Sequence, residues 1–213
     1  MRVKFEQQLN KLHHELIEMG SYCESAIAQS AEILNKNDGK SVENILNITS
    51  EIDQKEREIE GMCLKLLLQQ QPVARDLRTI SSALKMVTDL ERIGDNSGDI
   101  AEIATSADFS PLLKTLDISG MAKATIKMVT DSVDAFVKRD INLARSVIKY
   151  DDVVDEFFIS IRGSLIDEIK NHNADGESEV DLLMIAKYFE RIGDHAVNIA
   201  KWVIFSVTGS KEI

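Results

Sequence analysis

The chain has 213 residues, of which 44% are hydrophobic and only 5% aromatic, so it can bury a core made mainly of aliphatic side chains. Its formal net charge is -11, which repels a phosphate backbone, and we expect no nucleic-acid partner. No stretch of eighteen apolar residues and no signal-peptide pattern is visible, so we expect a cytoplasmic protein without membrane insertion.

Helical periodicity runs through the chain, and its 2 prolines and 10 glycines leave long segments uninterrupted. We predict an all-α fold with six long helices at 3–36, 41–70, 72–105, 112–138, 141–170 and 177–208. Asn37-Asp38-Gly39 is predicted to stop the first helix. Pro72 is predicted to lie in the first turn of the third helix, and Ser110-Pro111 to begin the fourth. Short loops make sequential helices antiparallel.

An internal repeat organises these helices. Glu91-Arg-Ile-Gly-Asp95 recurs unchanged as Glu190-Arg-Ile-Gly-Asp194, an offset of 99 residues, and each copy lies in the third helix of its half. We therefore predict two tandem three-helix bundles, residues 1–108 and 109–213, related by a pseudo-twofold axis.

Both repeated glutamates interrupt an apolar stripe. Residues spaced three and four apart on the third helix predict an inward face made of Leu77, Ile80, Leu84, Val87, Glu91, Gly94, Gly98 and Ala101. The sixth helix repeats the pattern with Leu183, Ala186, Glu190, Gly193, Val197 and Ala200. A carboxylate on a packing seam is costly unless it has a partner.

A metal ion is one such partner. Asp95 and Asp194 lie one turn after their glutamates, and Asp99 and Asn198 continue each row by a further turn. On the fifth helix, Asp151 and Asp155 form another pair with the same spacing.

The second helix offers Asp53, with Thr49 in place of the first acid, so the first half has three carboxylates and the second half four. Clusters rich in carboxylate oxygen suit Mg, Mn, Ca or iron, and we expect the second half to bind more strongly. The alternative is that these acids are solvated and paired with Arg92 and Arg191. Because no nucleophile and base, phosphate-binding glycine loop or zinc spacing appears, we predict that the protein is not an enzyme.

Several segments resemble the PhoU family of phosphate-uptake regulators over essentially the whole chain. They are Gln71-Pro-Val-Ala-Arg-Asp-Leu-Arg78, Thr88-Asp-Leu-Glu-Arg-Ile-Gly-Asp95, Asp151-Asp-Val-Val-Asp155, Phe189-Glu-Arg-Ile-Gly-Asp-His-Ala-Val-Asn-Ile-Ala200 and Val203-Ile-Phe-Ser-Val-Thr-Gly209.

The resemblance implies two tandem three-helix bundles in a cytoplasmic, commonly dimeric protein. It implies a negative regulator of the phosphate-starvation response that couples the ATPase subunit of a phosphate ABC transporter to a sensor histidine kinase. It also implies metal binding through motifs matching Glu91/Asp95, Asp151/Asp155 and Glu190/Asp194, with iron, manganese, magnesium or zinc as the metal.

Four further residues are candidates for function without an assigned role: Asp76, Asp99, Arg145 and Asn198. Two other functions stay open on sequence grounds. The first is a metal-storage or metal-buffering bundle without a signalling partner, and the second, weaker one is a two-metal phosphoesterase.

Overall fold

The computed structural model describes residues 2–36, 39–69, 72–172 and 176–210. Its elements are α1 (Arg2–Lys36), α2 (Gly39–Gln69), α3 (Ala74–Ile103), a 3-10 turn (Leu112–Lys114), α4 (Ile118–Lys138), α5 (Ile141–His172) and α6 (Glu177–Thr208). Within these ranges every regular element is helical, which confirms the predicted all-α fold of six long helices. Of the helix stop expected at Asn37-Asp38-Gly39, Asn37 and Asp38 lie outside the described residues, and Gly39 is the first residue of α2.

The apolar periodicity of the sequence explains the packing. On α1, Leu12, Leu16, Met19 and Cys23 follow one another at spacings of four and three, and all are fully buried. On α2, a buried aliphatic side chain recurs every seventh residue at Ile45, Ile52, Ile59 and Leu66. A seven-residue repeat keeps one helix face on its neighbour over a long distance, as in helical bundles. Cys23 and Cys63 are buried free thiols, as their apolar neighbours predict.

Two helix starts differ from the prediction. Pro72 precedes α3 rather than lying in its first turn, because the helix begins at Ala74 with Val73 as its N-cap. Ser110-Pro111 does not begin α4, since Pro111 leads only into the 3-10 turn. The side chain of Asp117 accepts a hydrogen bond from the Gly120 N–H at 2.7 Å and so caps α4, which starts six residues later than predicted at Ile118.

Each half is a three-helix bundle, and the halves meet along α3 and α6. At one end of this contact, Ser106 Oγ donates a hydrogen bond to Asp181 at 2.5 Å. Near the middle, Asn198 Nδ2 donates to Asp89 at 3.3 Å. From Asp89 to Ser106 the chain advances by as many residues as the partner position on α6 moves back, from Asn198 to Asp181. The two segments therefore run antiparallel and keep the same register along the contact.

α1 and α4 also contact each other, so both halves contribute to one apolar core. No helix in the described part of the chain combines the length and apolarity needed to cross a bilayer.

Candidate metal centre

The first-half acids converge where α2 passes α3. One side-chain oxygen of each of Asp53, Glu91 and Asp95 can be chosen so that the three atoms lie within 4.8 Å of one another. Among the described residues, no other three Asp, Glu, His or Cys side chains have possible ligand atoms this close together. Three carboxylates this close repel one another unless a cation or protons compensate their charge.

A glycine permits this close approach. A Cβ atom on Gly94 would lie 3.0 Å from Ile52 Cδ1 and 3.1 Å from Ile52 Cγ2, so α2 sits against the bare backbone of α3. Asp53 follows Ile52 directly and is therefore held beside the acids that flank Gly94. The glycine in the repeated motif thus sets the distance between the acid-bearing helices.

Glu91 is more buried than Asp95, whose side chain is 46% exposed. The Glu91 side chain is 18% exposed, and its Oε2 atom is buried without a hydrogen-bond partner. Arg92 Nε lies 3.3 Å from that oxygen without hydrogen-bond alignment, and Arg92 Nη1 donates to Asp95 at 3.1 Å. Burial, followed by the charge of Asp95, raises the pKa of Glu91. A buried carboxylate oxygen that accepts no hydrogen bond is a feature that a bound cation would satisfy.

Glu56 is a fourth acid that sequence reasoning missed. It lies outside the set of three within 4.8 Å, but burial raises its pKa, and the charges of Glu60 and Asp53 add to the effect. It lies three residues after Asp53 on α2, and that helical spacing was the available signal.

The second-half acids lie on neighbouring helices, but no three of them offer ligand atoms within 4.8 Å of one another. Burial raises the pKa of Asp151 to about 6, with further contributions from Asp155, Asp194 and Glu190. A Cβ atom on Gly193 would lie 3.2 Å from Asp151 Oδ1, so this glycine makes room for α5 as Gly94 does for α2. Unlike the first-half group, this one includes an ammonium: Lys187 Nζ contacts the Glu190 carboxylate.

The predicted apolar stripe is only partly correct. Ile80, Val87, Gly94, Gly98 and Ala101 are buried on α3, but Leu77 is 47% exposed. Leu84 on α3 and Leu183 on α6 are half-buried.

The other candidate residues lie apart from these groups. Asp99 lies beside Tyr188, where burial and then the Asp99 charge raise the tyrosine pKa. Asn198 contacts Asp89 between the halves, and His195 Nδ1 lies 2.9 Å from the same carboxylate. Asp76 is half-buried in the first turn of α3, and Arg145 is exposed on α5.

Comparison with known proteins gives consistent results over nearly the full chain. The PhoU domain matches twice, at residues 16–104 and 118–203. The phosphate-specific transport system accessory protein PhoU homolog of Clostridium acetobutylicum is 36% identical, covering 97% of this chain and 95% of that protein. The PhoU homolog 1 of Thermotoga maritima is 32% identical, covering 97% and 90%.

Solved structures share the architecture. The crystal structure of PhoU from Pseudomonas aeruginosa superposes with a TM-score of 0.85 at 31% identity, covering 97% of this chain and all of that one. PhoU from Streptococcus pneumoniae gives 0.87 at 24% identity, which supports the fold. With two matched domains in one chain and full-length relatives above 30% identity, the chain belongs to the PhoU family.

Proposed function

We propose that this protein is a cytoplasmic regulator of phosphate uptake that holds the phosphate-starvation response off when phosphate is plentiful. The observation that carries the proposal is full-length similarity to several accessory proteins of phosphate-specific transport systems, through both repeats. Its partners in this role are the ATPase subunit of a phosphate ABC transporter and a sensor histidine kinase, and it acts as a homodimer. The all-helical surface, with net charge -11, favours protein partners over DNA.

Deletion of the gene tests the proposal. With a reporter fused to a phosphate-starvation promoter, the deletion strain should express the reporter in phosphate-rich medium, and the intact gene supplied in trans should restore repression. A reporter that stays repressed in the deletion strain would contradict the regulatory role. Tight, salt-sensitive binding of the purified protein to the promoter would instead point to direct DNA regulation.

The two carboxylate groups are proposed to hold metal ions in support of this role. The first-half residues fit a hard cation: their oxygens lie within 4.8 Å of one another, and the buried Glu91 Oε2 has no hydrogen-bond partner, although Arg92 Nε lies 3.3 Å away. Asp53, Glu56, Glu91 and Asp95 would hold one centre, and Asp151, Asp155, Glu190 and Asp194 the other. A bound cation would remove the repulsion among the acids and tie α2 to α3 and α5 to α6. Metal buffering without signalling is the alternative, and a normally repressed reporter in the deletion strain would favour it.

A further inference from the structure

Three arginines gather at the end of the molecule where α3 begins and where α4 and α6 finish. Arg75 and Arg78 lie in the first two turns of α3, and Arg139 is the left-handed C-cap of α4. Burial, and then the charges of Arg75 and Arg78, lower the pKa of Arg139. The three guanidinium groups therefore lie within electrostatic reach of one another.

Helix packing brings these charges together. A Cβ atom on Gly209, the C-cap of α6, would lie 3.6 Å from both Arg78 Cδ and Arg78 Nε, so Arg78 rests against the end of α6. On α1, the His13 ring packs edge-on against Phe136 with centroids 5.7 Å apart, three residues before Arg139. Burial, and then the charge of Arg139, lower the pKa of His13. Four helices thus meet at a positively charged end of the molecule.

Within the described part of the chain, no carboxylate forms an ion pair with Arg75, Arg78 or Arg139. This is notable because the sequence has 36 Asp and Glu against 25 Lys and Arg, and other cations such as Lys55 and Arg92 do form such pairs. Arg78 Nε is buried and has no hydrogen-bond acceptor. A buried N–H donor without an acceptor is costly, and positive charge without an acid partner attracts an anion.

Two neighbouring features favour one kind of anion. α3 begins at Ala74, and Val73 supplies no side-chain cap, so the first-turn N–H groups gain no acceptor from it. Asp76 lies in the same turn, and its charge opposes the effect of the arginines on Arg139. A carboxylate repels a fully ionised anion but accepts a hydrogen bond from one that keeps a proton. Phosphate keeps a proton at neutral pH, whereas sulfate does not.

We propose that Arg75, Arg78 and Arg139 form a binding site for inorganic phosphate. Guanidinium groups bind phosphate oxygens through paired N–H donors in a planar fork, and three of them offset the charge of a dianion. Sixteen residues of α3 separate Arg75 from Glu91, about 24 Å along a helix axis, so this site is distinct from the proposed metal centres. The inference goes beyond the proposed regulatory function and does not depend on it.

The test is calorimetric titration of the full-length protein with inorganic phosphate. Arg75→Gln and Arg139→Asn should each weaken phosphate binding by about tenfold, because each removes a charged donor. Asparagine tolerates the left-handed conformation at position 139. Arg78→Lys keeps the charge but loses the fork, and should also weaken binding. Arg162→Gln, at an exposed position on α5, is the control and should bind phosphate as the wild type does.

Sulfate titrations test Asp76. The wild type should prefer phosphate, and Asp76→Asn should lose most of that preference. Equal binding of the two anions by the wild type would overturn the role of Asp76.

Circular dichroism checks that each variant is folded. Phosphate binding that survives both Arg75→Gln and Arg139→Asn would overturn the site. Absence of binding at millimolar phosphate would also overturn it, and would mean that the arginines only offset the carbonyl ends of α4 and α6. Neither result bears on the reporter experiment with the deletion strain, so the regulatory proposal is tested separately.

Discussion

The carboxyl group of Asp151 is partly buried beside other acids, and this changes its pKa. Its pKa is raised from 3.8 to about 6 by burial and by the neighbouring acids, so the folded state holds this proton more tightly than the unfolded state does. When the folded state binds more protons, the free energy of unfolding decreases as the pH rises. The metal-free protein should therefore lose stability from this group between about pH 4 and pH 6.

Asp151→Asn removes that loss. We expect the variant to gain stability relative to the wild type as the pH rises through this window, because asparagine carries no charge at any pH in it. Urea unfolding in the presence of a chelator, at a series of pH values, measures the difference. Asp167→Asn on the same helix, where the side chain is 74% exposed, is the control. A stability difference that does not change with pH would show that the pKa of Asp151 is not raised in the folded state.

The sequence predicts which acids matter better than it predicts their partners. Glu91 and Glu190 stand out because they interrupt apolar spacing, and the structure leaves their side chains only 18% and 17% exposed. Lys187 and Glu56 were missed, because a lysine or glutamate on a helix surface is too common to attract attention. For Glu56, the neighbours Glu91 and Arg92 lie on another helix, so their proximity follows from the tertiary structure and not from spacing in the sequence.

At the scale of the helix, two glycines have opposite roles. Gly61 on α2 has open space where a Cβ atom would lie, so it only lowers the helix propensity. Gly94 on α3 has the buried Ile52 side chain in that space. The same residue type is thus a weakness in one helix and a packing requirement in the other.

Matched alanine replacements separate these roles. Gly61→Ala should stabilise the protein by about 1 kcal/mol, the difference in helix propensity. Gly94→Ala should destabilise it by about 1–3 kcal/mol, because the added methyl forces Ile52 and α2 away from α3. Denaturant unfolding gives both values. Equal effects of the two replacements would mean that the contact between α2 and α3 yields to the extra methyl without cost.

Helix existence was predictable from sequence, whereas two helix starts were not. Long apolar periodicity gives six helices because each must bury one face, and this does not depend on local detail. The start of α4 depends on Asp117, whose capping bond to Gly120 competes with the signal from Ser110-Pro111. Both are good start signals, and the Pro111 signal produced only the 3-10 turn.

The two halves should unfold as one unit, since α3 packs on α6 and α1 on α4 across the boundary between them. The single tryptophan of the chain, Trp202, lies on α6 and reports on the second half, whereas circular dichroism reports on all helices. Thermal melts followed by Trp202 fluorescence and by ellipticity at 222 nm should have the same midpoint. A separate, earlier or later fluorescence transition would show that the halves unfold independently.

The unshifted antiparallel contact of α3 with α6 also affects how the chain is made. The 99-residue repeat equates Asn198 with Asp99, so a pairing of α3 with a second α3 in the same geometry would place Asp89 opposite Asp99 instead of opposite Asn198. While the second half is still being synthesised, this like-charge contact disfavours pairing of the exposed face of α3 with α3 of a neighbouring nascent chain. The connection at residues 104–117 favours the correct partner, because it keeps α6 of the same chain at a high local concentration once that helix emerges.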